Sequence, residues 1–125
     1  MTQDERTVLL VDDDRAIRDT IGQLLEEEGY RVAVAANGLE ALEHLREGDG
    51  GRPSLIVLDL MMPVMDGWQF REAQLRDPRL ASIPVVVLTA DGNTRQKGTR
   101  MGAAAALQKP IALERLLAVV DACRA

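Results

Sequence analysis

At 125 residues, with a formal net charge of −5 and an apolar content of 46%, the chain is long enough to bury one core and too short for two ordinary domains. The negative charge argues against nonspecific binding to nucleic acid or an anionic membrane. The single cysteine, Cys123, can form neither an intrachain disulfide nor a thiolate metal cluster. No apolar run reaches the ~20 residues that span a bilayer, and the polar Met1-Thr2-Gln3-Asp4-Glu5 start lacks the apolar stretch of a signal peptide; both point to a cytoplasmic protein with no membrane insertion.

Thr7 to Val11 is an unbroken apolar run that predicts a strand buried on both faces. Asp12, Asp13 and Asp14 end it, and one of them can cap the helix that Ile17, Ile21, Leu24 and Leu25 predict over 15–28. Gly29 stops that helix. Arg31 to Ala36 reads as a second strand and Asn37-Gly38 as a turn, followed by a helix marked by Leu39, Leu42 and Leu45 and ending near Glu47. The glycine-rich stretch 48–53 follows a helix rather than a strand, so it is no phosphate-binding loop. Ser54 to Asp59 is a third strand, and Met61 to Asp66 a loop broken by Pro63. The pattern then predicts a helix over 67–76, a strand over 85–88 and a helix over 93–101 that Gly98 weakens. A short strand over 104–108 and a last helix over 112–123, with Leu113, Leu116, Leu117 and Val120 on one face, complete the chain.

Five strands alternating with five helices, the strands patterned as doubly buried, predict an α/β domain: a doubly wound five-stranded parallel sheet with helices on both faces. The whole of 1–125 is expected to be that one domain, with no output domain attached. Ligands of such sheets bind at the carboxyl ends of the strands, and the polar residues fall there: Asp12 and Asp13, Asp59, Thr89 and Lys109. Crowded carboxylates repel unless a cation neutralises them, and oxygen-only ligands suit a hard ion such as Mg2+. A lysine and a hydroxyl added to that set make a phosphoryl-transfer site. Singly, each residue has a structural reading: an acidic helix start, a turn carboxylate, a Lys-Pro loop. Their joint placement on one rim is what argues for a site.

Four ordered motifs carry a family resemblance over nearly the whole chain. Val8-Leu9-Leu10-Val11-Asp12-Asp13-Asp14 resembles the acidic first-strand motif of response-regulator receiver domains, and Leu55 to Gly67, containing Asp59-Leu60-Met61-Met62-Pro63, resembles their phosphorylation motif. Pro84 to Ala90 and Gly102 to Pro110 resemble their fourth- and fifth-strand motifs. The resemblance implies a flavodoxin-like fold. It implies that Asp59 accepts a phosphoryl group from the phosphohistidine of a sensor histidine kinase or phosphotransfer protein, in bacterial two-component signalling. Asp13 and Asp59 would ligate Mg2+ directly, Asp12 through water, and Met61 through its carbonyl. Lys109 would contact a phosphoryl oxygen, Thr89 would turn its hydroxyl inward, and the Ala90 N–H would help hold the group. The Lys109-Pro110 bond is expected cis. The output would be a protein partner, with no direct contact to nucleic acid and no catalysis beyond the domain's own phosphorylation and dephosphorylation.

The chain departs from that pattern at Ala106, where receivers usually carry Tyr or Phe; the inward swing of an aromatic ring cannot occur here, and a different partner surface is the expectation. Met61 and Asp91, two residues after Asp59 and Thr89, flank the expected phosphoryl site, and a phosphorylated state lasting minutes is expected. His44 and the charged runs Asp4-Glu5-Arg6 and Glu26-Glu27-Glu28 read as solvated surface. Trp68 reads as a packing residue whose fluorescence can report Mg2+, and Cys123 as inert. Two other functions stay open. A phosphohydrolase with an aspartyl nucleophile would carry a second Asp where Met61 stands, and an interaction module independent of phosphorylation would keep only the fold. The chain could also be a receiver fragment of a hybrid kinase or larger regulator.

Overall fold

Ten elements alternate along the chain in a computed structural model, which describes residues 7–48, 52–90 and 92–123. They are β1 (Thr7–Val11), α1 (Arg15–Glu27), β2 (Arg31–Ala35), α2 (Gly38–Glu47), β3 (Leu55–Asp59), α3 (Gly67–Arg76), β4 (Val85–Thr89), α4 (Thr94–Met101), β5 (Ala105–Gln108) and α5 (Leu113–Cys123). The Asp4-Glu5-Arg6 run, residues 49–51 of the glycine-rich stretch, and Asp91 lie outside the described residues.

The strands form one parallel sheet in the order β2-β1-β3-β4-β5. Alternate side chains of each strand point to opposite faces, and both faces are packed. Leu9, Val11, Ile56, Leu58, Val85 and Val87 meet Ala41, Leu42 and Leu45 of α2, Phe70 of α3 and Met101 of α4. Val8, Leu10, Leu55, Val57, Val86 and Leu88 meet Ile21 and Leu25 of α1 and Leu116 and Val120 of α5. Each such aliphatic side chain contributes about 1.5–3 kcal/mol by leaving water, so the three inner strands hold most of the stabilisation.

Double burial holds for β1, β3 and β4 but not for the other two strands. β2 and β5 are the sheet edges, and Val34 in β2 is exposed. On α5 only Leu116 and Val120 are fully buried, while Leu113 faces solvent, and Leu39 of α2 does the same. Asn37 is the N-cap of α2, its side chain accepting from the Glu40 N–H, rather than part of a free-standing turn. Asp14, the last of the acidic triplet, caps α1 through the N–H groups of Ala16 and Ile17, and Asp66 starts α3 with a reciprocal capping box to Gln69. α4 lacks such a start: Asn93 is left-handed and makes no side-chain cap bond, and only Gly98 and Met101 of the helix are buried. The Lys109-Pro110 bond is cis, as expected.

Candidate acidic site at the carboxyl edge of the sheet

The register places the carboxylates. Val11 of β1 lies opposite Leu58 of β3, so the next residues, Asp12 and Asp59, emerge side by side at the carboxyl ends of adjacent strands. This is where the strand order reverses, the position at which open parallel sheets bind ligands. Among the described residues, Asp12, Asp13 and Asp59 form the one group of metal-ligating side chains, with oxygens all within 4.8 Å of one another. Asp12 is 0% exposed and Asp59 2%, whereas Asp13 opens to solvent.

Every polar atom of Asp12 is engaged. Its N–H donates to Ala35 O at 3.1 Å, and its carbonyl accepts from Arg18 Nη1 at 2.8 Å. Oδ1 accepts from the Asp14 N–H at 2.9 Å, and Oδ2 from Lys109 Nζ at 3.2 Å. The same ammonium lies 3.4 Å from Asp59 Oδ1, which also accepts from the Met61 N–H at 3.3 Å. Met61 therefore meets the site through its N–H, while the residue is 66% exposed.

Lys109 follows β5, and its own N–H donates to Thr89 O at 2.8 Å, tying the ends of β4 and β5 together beside the carboxylates. Thr89 is buried and Ala90 exposed. Behind Asp59 the chain turns tightly into α3: a Cβ on Gly67 would lie 2.7 Å from Asp59 O and 2.8 Å from Leu60 Cα, so only glycine fits there. The loop between them contains Val64 at φ 72°, spanned by a Met65 N–H bond to Pro63 O, a strained γ-turn for a β-branched residue.

Burial, and after it the Asp12 carboxylate, push the Asp59 carboxyl up to about 6; Lys109 and the Met61 N–H offset this only in part. Burial also acts to lower the Lys109 ammonium, but Asp12 and Asp59 together outweigh it and raise that group above the usual lysine range. The pocket thus holds two buried carboxylates, one exposed carboxylate and one cation. That is the donor set of a hard divalent ion, which would offset the surplus negative charge.

The structure brings Asp12, Asp13, Asp59, Met61 and Lys109 together and seats Thr89 beside them. It leaves His44 out of the cluster, half-buried on α2 rather than solvated. Trp68 packs its ring partly against the core, with Arg100 5.3 Å above it. Cys123 is half-buried, and burial pushes its thiol up, as an inert cysteine requires. Arg18 was not legible as a site residue: an arginine one turn into an amphipathic helix carries no signal that it will reach back to the Asp12 carbonyl just beyond β1.

A five-stranded parallel sheet in this order, with an acidic cluster and a lysine at its carboxyl edge, defines a receiver-type signalling domain. The family model described as "Response regulator receiver domain" matches residues 8–121, and the chain belongs to that family. It is 40% identical over 117 residues to the response regulator Rre1 of Synechocystis and 42% identical over 113 residues to the response regulator MprA of Mycobacterium ulcerans. Those alignments cover 91% and 89% of this chain but 49% and 47% of the relatives, so the chain spans about half their length. Among solved structures it resembles the chemotaxis response regulator CheY4 of Vibrio cholerae, with a TM-score of 0.84 and 34% identity over 94% of this chain and 97% of that one. It also resembles the signal receiver domain of a histidine kinase from Syntrophus aciditrophicus, with a TM-score of 0.83 and 31% identity over 94% of this chain and 88% of that one. No helix among the described residues is long and apolar enough to cross a membrane.

Proposed function

We propose that Asp59 is the phosphoryl acceptor of this receiver, loaded in a Mg2+-dependent reaction by the phosphohistidine of a sensor kinase or phosphotransfer protein in the cytoplasm. The observation that carries the reading is the bridge made by Lys109 between two buried carboxylates, 3.2 Å from Asp12 and 3.4 Å from Asp59. Of that pair, Asp59 is the one bonded to the Met61 N–H, next to an exposed residue on the side from which a donor would approach. An Asp59 carboxylate oxygen forms the new O–P bond as the N–P bond of the donor imidazole breaks.

Asp13 and Asp59 would hold Mg2+ directly, with Asp12 behind them, and the ion supplies charge neutralisation for the three phosphoryl oxygens. Lys109 would take one phosphoryl oxygen, while Thr89 and the Ala90 N–H lie at the adjacent strand end to take others. The phosphate adds about 1.5 to 2 negative charges, which is why two kinds of cation are needed. Around the acidic cluster, Met61 and Val64 are exposed, and a cavity of about 270 Å3 is lined by Ala16, Ile17, Thr20, Pro110, Ile111 and Leu113, with Lys109 among its residues. An apolar surround of this kind fits the packing of a donor protein's helices against α1.

The domain turns over no separate substrate in this reading. A hydrolase with an aspartyl nucleophile would carry its proton-transferring Asp two positions after Asp59, and that position holds the apolar Met61. Incubation with Mg2+ and phosphoramidate, followed by intact-mass measurement, tests the proposal. One phosphoryl group should add to the wild type and none to Asp59→Asn, and chelation by EDTA should abolish the addition. Label on Asp59→Asn would overturn the site assignment, and no label on the wild type would leave a fold-only interaction module.

A further inference from the structure

Asp13 is the outermost of the three carboxylates, and no hydrogen bond or ion pair holds its side chain among the described residues. The Cα–Cβ direction from which it projects is set by the backbone that carries it. The peptide unit joining Asp12 to Asp13 has its carbonyl at Asp12 O, and that oxygen accepts from Arg18 Nη1 at 2.8 Å. Arg18 sits on the first turns of α1, fixed in the helix by its own N–H bond to Asp14 O. The Asp14 N–H meanwhile holds Asp12 Oδ1 at 2.9 Å.

We propose that Arg18 is a positioning residue for the divalent cation: it pins the peptide plane between Asp12, which stands behind the ion, and Asp13, which would hold it directly, and so aims Asp13 into the cluster. The inference rests on the reading of Asp12, Asp13 and Asp59 as the Mg2+ site. Arg18 does not touch the ion's ligand oxygens. It acts through the backbone that orients them, as outer partners of metal sites commonly do, where their loss lowers affinity by about 10- to 100-fold.

The guanidinium makes two opposed contributions, and their signs separate them. As a positive charge near a cation site it would weaken binding of Mg2+, so a neutral replacement would tighten binding if charge were its whole effect. As a peptide-plane anchor it strengthens binding, so a replacement that cannot donate a hydrogen bond would weaken it. A short charge-assisted bond to a carbonyl in a part-buried setting is strong, whereas the charge is diluted by solvent at the open side of the cluster. Positioning therefore wins.

The test is a Mg2+ titration of the whole chain, followed by Trp68 emission and independently by calorimetry. It compares wild type, Arg18→Leu, Arg18→Met and Arg18→Gln, with thermal melting in EDTA as a check of folding. The Leu and Met variants should bind Mg2+ about 10-fold or more weakly, and Gln, which keeps an N–H donor, should recover part of the loss. In phosphorylation by phosphoramidate, the Leu and Met variants should need more Mg2+ to reach half-maximal rate but approach the wild-type rate at saturation. A merely structural role would not produce that split. Folded Leu or Met variants that bind Mg2+ as tightly as wild type, or more tightly, would overturn the proposal. Asp13→Asn is the control for the reading beneath it: if the wild type shows no saturable Mg2+ binding, or Asp13→Asn binds equally well, the acidic-cluster site itself is wrong and not the role of Arg18 alone.

Discussion

Lys109 Nζ lies 3.4 Å from Asp59 Oδ1, yet the Asp59 carboxyl is pushed up to about 6, because burial and then the neighbouring Asp12 carboxylate outweigh the ammonium. A carboxyl whose folded pKa is raised contributes stability below its unfolded value, near 3.8, and that stability is lost as pH rises through the folded value. Between pH 4 and 6 the metal-free protein should therefore lose stability, by up to about 3 kcal/mol. Lys109, whose folded pKa is also raised, keeps its contribution throughout this window, since loss begins only above the ordinary lysine range. Melting curves in EDTA at pH 4.5, 5.5, 6.5 and 7.5 should show the decline in the wild type and a much flatter profile in Asp59→Asn. Mg2+ at pH 7.5 should restore the wild type. A profile that rises with pH would contradict the ordering of charges in the pocket.

Removal of the lysine reverses the balance. In Lys109→Met, Asp12 and Asp59 face each other without their shared cation, and breaking a buried pair on one side costs about 3–5 kcal/mol. The cost should be largest near pH 8, above the raised Asp59 value, and should shrink toward pH 5 as Asp59 takes a proton. Mg2+ should bind more tightly to the variant than to wild type, because a competing positive charge is gone. Urea denaturation at the two pH values, with and without Mg2+, measures all three effects.

Much of this pocket was legible from residue order because register is local. Once Leu9-Leu10-Val11 and Ile56-Val57-Leu58 are read as buried parallel strands, Asp12 and Asp59 must emerge together, and the parallel pairing bears that out. Lys109 and Thr89 follow from the ends of β5 and β4 in the same way. The edge strands depart from the doubly buried pattern because the apolar residues of β2 give no hint that the strand lies at the sheet edge, where Val34 stays exposed. The contacts that sequence reasoning missed are those in which a polar side chain crosses between elements: Arg18 of α1 to the Asp12 carbonyl that follows β1, and Arg71 of α3 to the Met101 and Gly102 carbonyls that close α4. Both lie in segments whose periodicity reads simply as helix, and no local pattern distinguishes a buried arginine from a solvated one.

Ala106 owes its size to α4. A Cβ placed on Gly98 would lie 2.9 Å from Ala106 Cβ, so helix and strand already touch through their smallest side chains. Replacing Gly by Ala in a helix ordinarily gains about 1 kcal/mol, but overpacking costs about 1–3 kcal/mol, and a methyl on a strand cannot swing aside. Gly98→Ala should therefore destabilise the wild type by about 1 kcal/mol. In an Ala106→Gly background, where the obstacle is removed, the same change should stabilise. Thermal denaturation of the four proteins checks the change of sign, and Ala106→Tyr should be worse than any of them, since the ring would drive α4 off β5.

Gln74 is completely buried, and each of its polar groups is satisfied. Its amide nitrogen donates to Leu80 O at 2.9 Å and Ile83 O at 3.0 Å, and its carbonyl accepts from Arg71 Nη1 at 2.7 Å. Arg71 is buried too, and spends its other nitrogens on the carbonyls closing α4, Met101 O and Gly102 O, each at 3.0 Å. No carboxylate pairs with it among the described residues, and burial lowers its pKa without discharging a guanidinium. The two side chains form one network that joins α3 to the end of α4 and to the segment entering β4. Arg71→Leu alone leaves two helix-end carbonyls and the Gln74 oxygen without donors, and Gln74→Leu alone leaves two loop carbonyls and a buried guanidinium arm. Each should cost about 2–4 kcal/mol, since an orphaned buried group costs about 1–3 kcal/mol and a charged one more. The double replacement removes both ends of the shared bond and fills the space with apolar volume, so it should cost less than the sum of the singles by about 1–2 kcal/mol. Trp68 supplies a local readout, because Arg100 stacks 5.3 Å above its ring across the same pair of helices. Its emission should shift in either single variant, and additive losses with an unshifted Trp68 would show that the two residues act separately.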